Sequence, residues 1–153
     1  MTQPVAPFVD GPFVTAACFC EMMLQENTGV LSLIRVIDQI VHTVAGPATP
    51  EEMPPVHYNL KAVLMLKSGA ARGRSTLRIV PELPNGMNRE QQLFTVHFSG
   101  EDQGVNLGLN MAFVFEMEGL YWFHVYVDDR KITSMPLRIR YNRIQGGVMP
   151  PPG

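Results

Sequence analysis

The sequence predicts an all-β fold, a two-layer antiparallel β-sandwich of the immunoglobulin-like or C2-like kind with about seven or eight strands. Turn-forming stretches rich in Gly, Pro, Asn and Asp recur along the chain, and they separate segments of about 7–15 residues, a spacing typical of such folds. Several segments alternate apolar with polar residues, which is the period of a strand with one buried face. A chain of 153 residues is long enough for one domain with its own core.

The two ends of the chain differ in composition from the middle. Residues 1–12 contain three prolines, and residues 144–153 are rich in Gly and Pro, so we expect both segments to be flexible. A Pro-rich tail serves either as a recognition segment or as a disordered end. We therefore predict one β-sandwich domain over residues 13–143.

The first two strands are predicted on either side of the turn sequence "ENTG" at residues 26–29. The segment that follows it, "VLSLIRVIDQIVHTV" at residues 30–44, has apolar residues that also fit the period of a helix. Its many β-branched residues favour a strand instead. We therefore predict a strand that forms a hairpin with the preceding "ACFCEMMLQ".

The middle strands are predicted from alternation over residues 59–67, 93–98 and 105–117. In the first segment the even positions from Leu60 to Leu66 are apolar, and in the third the odd positions from Leu107 to Met117 are apolar. The positions between them in the third segment are mostly small or polar. This pattern indicates strands with one face in the core and one face in water.

The last predicted hairpin is "EGLYWFHVYVDDRKITSMPLRIR" at residues 118–140. Its odd positions 121–127 and 135–139 are apolar. Both sets face the core if Val127 lies opposite Lys131 across a three-residue loop, Asp128–Arg130. This register predicts three further pairs: Trp122 with Pro136, His124 with Ser134, and Tyr126 with Ile132.

An aromatic stripe, Trp122, His124 and Tyr126, should then lie on the outer face of this hairpin. Arg138 lies diagonally from Trp122, within reach of its ring, and Pro136 indicates a sheet edge or a break because it cannot donate a hydrogen bond. Either a second layer covers these rings, or they form an exposed patch of the residue types enriched where partners bind. The candidate partner-binding residues are Trp122, His124, Tyr126 and Arg138.

The sequence contains no local signature of catalysis, such as a nucleophile elbow, a phosphate-binding loop or a zinc-protease motif. The four histidines are dispersed, and the acidic pairs fall in predicted turns. Cys18 and Cys20 are too few for a structural zinc site and closely spaced for a disulfide, so we expect free thiols that pack as small apolar groups. We therefore predict no enzyme, no catalytic residue, no metal and no cofactor.

The charge balance sets expectations about partners and location. A formal net charge of −2 and a pI near 6.1 give no general attraction for nucleic acid, and the basic residues Arg72, Arg74 and Arg78 lie in a different predicted hairpin from the aromatic stripe. No apolar run approaches the length of a membrane helix, and no secretory signal is visible. We expect a cytoplasmic protein without nucleic-acid or membrane partners.

Residues 16–40, which include "ACFCEMMLQENTGVLSLIRVIDQI", and residues 118–140, which include "GLYWFHV", carry a resemblance to known proteins. The chain resembles a family of small, uncharacterised bacterial domains regarded as β-sandwiches. The resemblance implies a β-sandwich fold and a bacterial or phage setting. It implies no activity and no site residue, because that family has none assigned.

These observations favour a non-enzymatic binding or adaptor module. We expect it to contact a protein partner, or its own copy, through a sheet edge and the aromatic stripe. A module that binds a small molecule or glycan would use the same rings in a concave pocket. A metal-dependent hydrolase would require His97, His124, a cysteine and a carboxylate to converge in one cleft.

Overall fold

A computed structural model describes residues 9–145, and the regular structure within this range is entirely β-sheet. The all-β prediction is thus confirmed. The predicted flexible ends lie mostly outside the described residues, and the last strand runs past the predicted domain boundary at Arg143. The seven strands are β1 Phe13–Gln25, β2 Leu31–Ile37, β3 Gln39–Gly46, β4 Val56–Glu82, β5 Gln92–Phe115, β6 Gly119–Val127 and β7 Arg130–Gln145.

The strands form a sheet in the order β2-β1-β4-β6-β7-β3, and β5 pairs with β4 as well. The long strand β4 has different neighbours along its length. Its first half pairs with β1 and with the second half of β5, whereas its second half pairs with β6 and with the first half of β5. Strand β4 therefore connects the N-terminal strands to the hairpin that carries the aromatic stripe.

Strand β4 changes register where its two halves meet. The pairing with β5 shifts between Lys67 and Arg72, and Gly69 in this stretch has a φ of 58°, a conformation that glycine adopts without strain. Aromatic rings from strands on the two halves meet in the core, since the Phe19 ring of β1 lies 4.9 Å from the Phe123 ring of β6. Side chains of β1 and β6, which pair with different halves of β4, therefore contact each other in the core.

The core consists of the alternate apolar positions that the sequence pattern predicts. The even positions Leu60, Leu64 and Leu66 of β4 are at most 2% exposed. Burying one such side chain contributes about 1.5–3 kcal/mol to stability. The largest fully buried side chains belong to aromatic residues: Tyr121, Phe19, Phe98, Phe115 and Phe123.

Residues 30–44 form strands, as predicted, but they form two strands instead of one. The break falls at Asp38, between β2 and β3. The two strands separate because β2 pairs with β1, whereas β3 pairs with β7 on the other side of the sheet. The β3–β7 pair is parallel, which corrects the prediction of a wholly antiparallel arrangement and is possible because β4, β5 and β6 supply the long connection that parallel strands need.

The β6–β7 hairpin has two of the predicted cross-strand pairs and a different turn. Trp122 lies opposite Pro136 and His124 opposite Ser134, as predicted. Tyr126, however, lies opposite Lys131, and the turn has two residues, Asp128 and Asp129. A bulge keeps the apolar side chains of both strands on the core face despite the shorter turn. The register shifts between Val125 and Tyr126, and the additional residue, Ile132, packs against the core.

The two-residue turn is held in place by β4. The backbone N–H of Asp128 donates to the carbonyl of Thr76 at 2.8 Å, and the Asp128 side chain accepts from the Thr76 N–H at 3.0 Å. Asp128 has a φ of 51°, which Asp tolerates better than most residues. These two bonds explain why the two-residue turn with a bulge replaces the predicted three-residue loop.

Pro136 marks the point on β7 where the pairing with β3 stops. Arg138 donates its N–H to the carbonyl of Asp38 at 3.1 Å, at the start of the β3–β7 ladder. In a strand, the backbone N–H groups of residues two apart point to the same side. Two residues before Arg138, Pro136 has no N–H to donate to a strand on that side. The segment 130–137 therefore has β6 as its paired strand in the described chain, which agrees with the sheet edge predicted from this proline.

Candidate functional site

The thiols of the chain are poorly suited to nucleophilic chemistry. Cys18 and Cys20 are free, as predicted, and Cys20 is buried. Desolvation by burial raises the pKa of both thiols above the ordinary value, so both remain protonated at neutral pH. Within residues 9–145, no group of three or more His, Cys, Asp or Glu side chains is placed to hold a metal ion. No helix in this range is long and apolar enough to cross a membrane.

The aromatic stripe occupies the outer face of β6. The odd residues 121–127 are buried, and the even residues between them are half-buried, because successive side chains of a strand point to opposite faces. The rings of Trp122 and His124 are parallel within 9°, with centroids 6.5 Å apart. The structure thus places Trp122, His124 and Tyr126 in one row on one face, as the sequence predicts.

His124 is positioned by residues of both neighbouring strands. Its Nδ1 lies 2.8 Å from the hydroxyl oxygen of Ser134 on β7. Its Nε2 lies 3.8 Å from a carboxylate oxygen of Glu82 on β4. These contacts hold the imidazole in the middle of the stripe, parallel to the indole.

Tyr126 is covered on one side by a cation from β4. The guanidinium carbon of Arg78 lies 4.6 Å from the centre of the Tyr126 ring, a distance at which the cation and the ring attract each other. Arg78 also donates to the side-chain oxygen of Gln91 at 3.0 Å. Sequence reasoning assigned Arg78 to a separate basic hairpin, whereas the structure brings it onto the aromatic stripe.

Arg138, the fourth predicted site residue, is exposed on β7. It lies opposite Leu120 of β6 and Gln39 of β3, two residues beyond the partner of Trp122. Arg138 was expected within reach of the Trp122 ring, but in the described residues the cation that lies over an aromatic ring is Arg78, over Tyr126. Arg138 therefore stands at the end of the stripe, and its neighbour Arg140 donates to the side chain of Gln39 at 3.1 Å.

We call this surface the aromatic–cationic face and define it by the outward residues of three paired strands. The strands are the second half of β4, β6 and β7. Neither its extent nor its charge was predicted, because the sequence does not reveal that β4 pairs with β6. Its charged and aromatic members are Arg74, Arg78, Glu82, Trp122, His124, Tyr126, Lys131, Arg138 and Arg140.

A second candidate contact surface lies at the opposite end of the sheet order. Strand β2 pairs with β1 and has no second paired strand in the described range. Four apolar side chains of this hairpin are each 40–60% exposed: Met22, Leu24, Ile34 and Val36. Met22 and Ile34 lie directly opposite each other, so these side chains form one apolar surface beside an open strand edge, which we call the β2 edge.

Comparison with known protein families gives a match over most of the chain. The model of a family described as a family of unknown function (DUF6941) matches residues 15–140, a range that includes nearly all the described strands. This match confirms the expected resemblance to a family of uncharacterised domains. No curated protein matches the chain.

Proposed function

We propose that this chain, which belongs to the family of unknown function DUF6941, is a non-enzymatic binding or adaptor module that contacts a protein partner through the aromatic–cationic face. The observation that carries the proposal is the row of Trp122, His124 and Tyr126 beside Arg78 on one sheet face. Trp, Tyr and Arg are the residues most enriched among those that dominate binding energy at protein interfaces.

The arrangement of the rings favours a protein partner over a small molecule or glycan. Small-molecule sites are concave cavities with a few convergent polar groups. Here the three rings follow one another along a single strand instead of surrounding a cavity. An elongated surface of this kind matches an elongated partner segment.

The β2 edge is the proposed second contact, with a protein partner or with a second copy of the chain. An open strand edge presents unpaired N–H and carbonyl groups that another strand can pair with. Strand β2 contains no proline, and its one charged residue, Arg35, is bound to Glu21 at 3.1 Å. By contrast, Pro136 interrupts the open part of β7, which makes that edge a poorer template.

We further propose that the two halves of the sheet stack as the two layers of a sandwich in a cytoplasmic bacterial protein. The register shift in β4 near Gly69 supports the stacking. So do the contacts of Phe123 with Phe19 of β1 and with Phe113 of β5, at centroid distances of 4.9 and 5.4 Å.

The test of the protein-partner proposal is affinity capture from a lysate of the organism that encodes the chain. The wild type is compared with a Trp122→Ser, Tyr126→Ser variant and with Tyr58→Ser, which removes an exposed aromatic residue from the first half of β4. Circular dichroism and thermal melting establish that each variant is folded. We expect one protein to be captured by the wild type and the Tyr58 variant and lost with the double variant.

The captured protein is then titrated into the purified chain while the fluorescence of Trp122, the only tryptophan, is recorded. A saturable change with the wild type, absent from an unrelated protein of similar charge, supports direct binding at this face. If the folded double variant captures the same protein with the same affinity as the wild type, the proposal is wrong.

A further inference from the structure

The aromatic–cationic face is strongly basic in a chain that is acidic overall. Its five cations and one carboxylate, Glu82, give a formal charge of +4. The whole chain has a formal net charge of −2, which leaves −6 for the remainder. Such an uneven charge distribution steers a partner of opposite sign toward one surface.

Three cations of this face differ from most of the other arginines in their partners. Four of the five arginines elsewhere, all but Arg143, pair with a carboxylate: Arg35 with Glu21, Arg72 with Glu101, Arg89 with Glu116, and Arg130 with Asp10. Within residues 9–145, the side chains of Arg74, Lys131 and Arg138 have no carboxylate within 4.0 Å. All three are exposed, so their charges are available to an external anion.

The spacing of the face matches an extended polypeptide. Outward residues of one strand repeat every second residue, which is about 6.6–6.8 Å. The centroids of Trp122 and His124 are 6.5 Å apart. Alternate side chains of an extended peptide have the same repeat, so they can meet the rings in the middle of the face and the cations at its two ends.

Glu82 distinguishes a peptide from single-stranded nucleic acid. Its carboxylate lies 3.8 Å from the His124 ring and opposite Trp122, in the middle of the rings. A nucleic acid carries a phosphate at every nucleotide and would place negative charge beside this carboxylate. A peptide can place an uncharged residue there and acidic residues on either side. A second copy that docked through the same face is disfavoured, because it would bring the same positive charge to it.

From the unpaired cations, the strand-like spacing and the position of Glu82, we infer that the partner segment bound by this face is an extended acidic peptide. Asp or Glu side chains of the peptide contact Arg74, Lys131 and Arg138, and uncharged side chains pack on the rings between them. This inference rests on the proposed function, since it names the chemistry of the protein segment that the face binds.

The first experiment selects peptides from a phage-displayed random library on the immobilised chain. Selection on the wild type is compared with selection on a charge-reversed variant, Arg74→Glu, Lys131→Glu, Arg138→Glu, whose exposed positions allow folding, as checked by circular dichroism. We expect the wild type to enrich Asp and Glu at alternate positions. The charge-reversed variant should lose this preference and enrich Lys and Arg.

The second experiment measures the binding of one enriched acidic peptide through the fluorescence of Trp122. A copy of the peptide with Gln and Asn in place of Glu and Asp should bind about tenfold more weakly at low salt, because several exposed charge pairs, each weak alone, are lost together. High salt should reduce this difference, since exposed charges are screened. A Trp122→Ser, Tyr126→Ser variant, assayed with a fluorescein-labelled copy of the peptide, should lose binding.

The outcomes separate failure of the inference from failure of the proposed function. If enriched peptides show no acidic preference but still require Trp122 and Tyr126, the inference is wrong and the proposed function stands. If labelled oligothymidine binds the wild type more tightly than the acidic peptide does, the ligand is single-stranded nucleic acid and the inference is wrong. If no peptide is enriched, or if binding is unaffected by the double variant, both are wrong.

Discussion

The guanidinium of Arg78 lies over the ring of Tyr126, 4.6 Å from its centre. The two residues are also paired across the β4–β6 ladder. This contact joins a basic strand to an aromatic strand, and it makes one surface out of two segments that are far apart in the sequence.

We predict that Arg78 and Tyr126 stabilise the fold jointly. A double-mutant cycle with Arg78→Met and Tyr126→Leu should give a coupling of about 0.5–1 kcal/mol in the free energy of unfolding, the usual value for a cation above a ring that is still partly exposed to water. Urea unfolding followed by circular dichroism measures it. The matched cycle of Arg74→Met with Tyr126→Leu should be additive. Equal coupling in the two cycles would contradict the role of this contact.

The charge of the aromatic–cationic face should be detectable at Trp122. Because five cations and one carboxylate lie on the face that carries Trp122, the only tryptophan, we expect iodide to quench its fluorescence more efficiently than caesium does, with uncharged acrylamide as the reference for exposure. High salt should reduce the difference. In the Arg74→Glu, Lys131→Glu, Arg138→Glu variant the order of iodide and caesium should reverse. An unchanged order would mean that these cations do not set the potential at the ring.

Tyr121 should stabilise the fold through its hydroxyl group. This side chain is fully buried, and its O–H donates to the carbonyl of Met117 at 2.7 Å. Tyr121→Phe leaves that carbonyl without its partner, so the free energy of unfolding should fall by about 1–3 kcal/mol at neutral pH. Tyr58→Phe, at an exposed position, should have little effect. Equal stability of the two variants in urea would contradict this role.

The same residue predicts a pH dependence. Burial raises the pKa of Tyr121 above its usual value of 10.0, so the folded protein keeps the phenol protonated where the unfolded chain ionises. The contribution of Tyr121 is therefore fully present below pH 10 and is lost as the pH rises through the folded-state pKa. Tyr121→Phe should remove this part of the alkaline loss of stability, measured by urea unfolding at a series of pH values above 10.

Gly69 should be intolerant of any side chain. A Cβ at this position would overlap the carbonyl oxygen of Asp10 and approach the ring of Phe13, and its φ of 58° is unfavourable for other residues. Gly69→Ala should lower the free energy of unfolding by about 1–3 kcal/mol. Gly29→Ala is the matched control, because its φ is also positive but its Cβ would meet nothing within 4 Å. Thermal melting should show the larger effect at Gly69.

The β2 edge should control self-association. If a second copy pairs at this edge, lysine side chains there should block it, since charge on an edge strand opposes strand addition. We expect Ile34→Lys, Val36→Lys to sediment as a monomer at concentrations at which the wild type has a higher mass, with an unchanged melting temperature. Met87→Lys, also at an exposed apolar position, should behave as the wild type does. A wild type that is monomeric at every concentration would contradict the prediction.

The local alternation of the sequence was enough to predict most of the core and the row of aromatic side chains. The pattern around Trp122 determines which residues of β6 share a face, because the side-chain period of a strand is two. The pairing of Trp122 with Pro136 and of His124 with Ser134 followed from placing the apolar residues of both strands of the hairpin on the same face. These predictions succeeded because they depend on neighbours in the sequence.

What could not be predicted depends on partners that are distant in the sequence. The pairing of Arg78 with Tyr126 results from the β4–β6 ladder, which no local pattern specifies. The predicted length of the hairpin turn was wrong by one residue. The reason is that Asp128 is bonded to the backbone of Thr76, which belongs to a third strand, β4. The parallel β3–β7 pair was missed for the same reason, since β3 alone has the composition of an ordinary strand.

The parallel pairing of β3 with β7 has a consequence for the order of assembly during synthesis. Strand β3 leaves the ribosome before β4, but the strand it pairs with is the last of the seven to be made. Until then, its β-branched residues remain without their neighbours in the sheet. A pause in translation between the two strands would prolong this exposure and favour aggregation of the nascent chain.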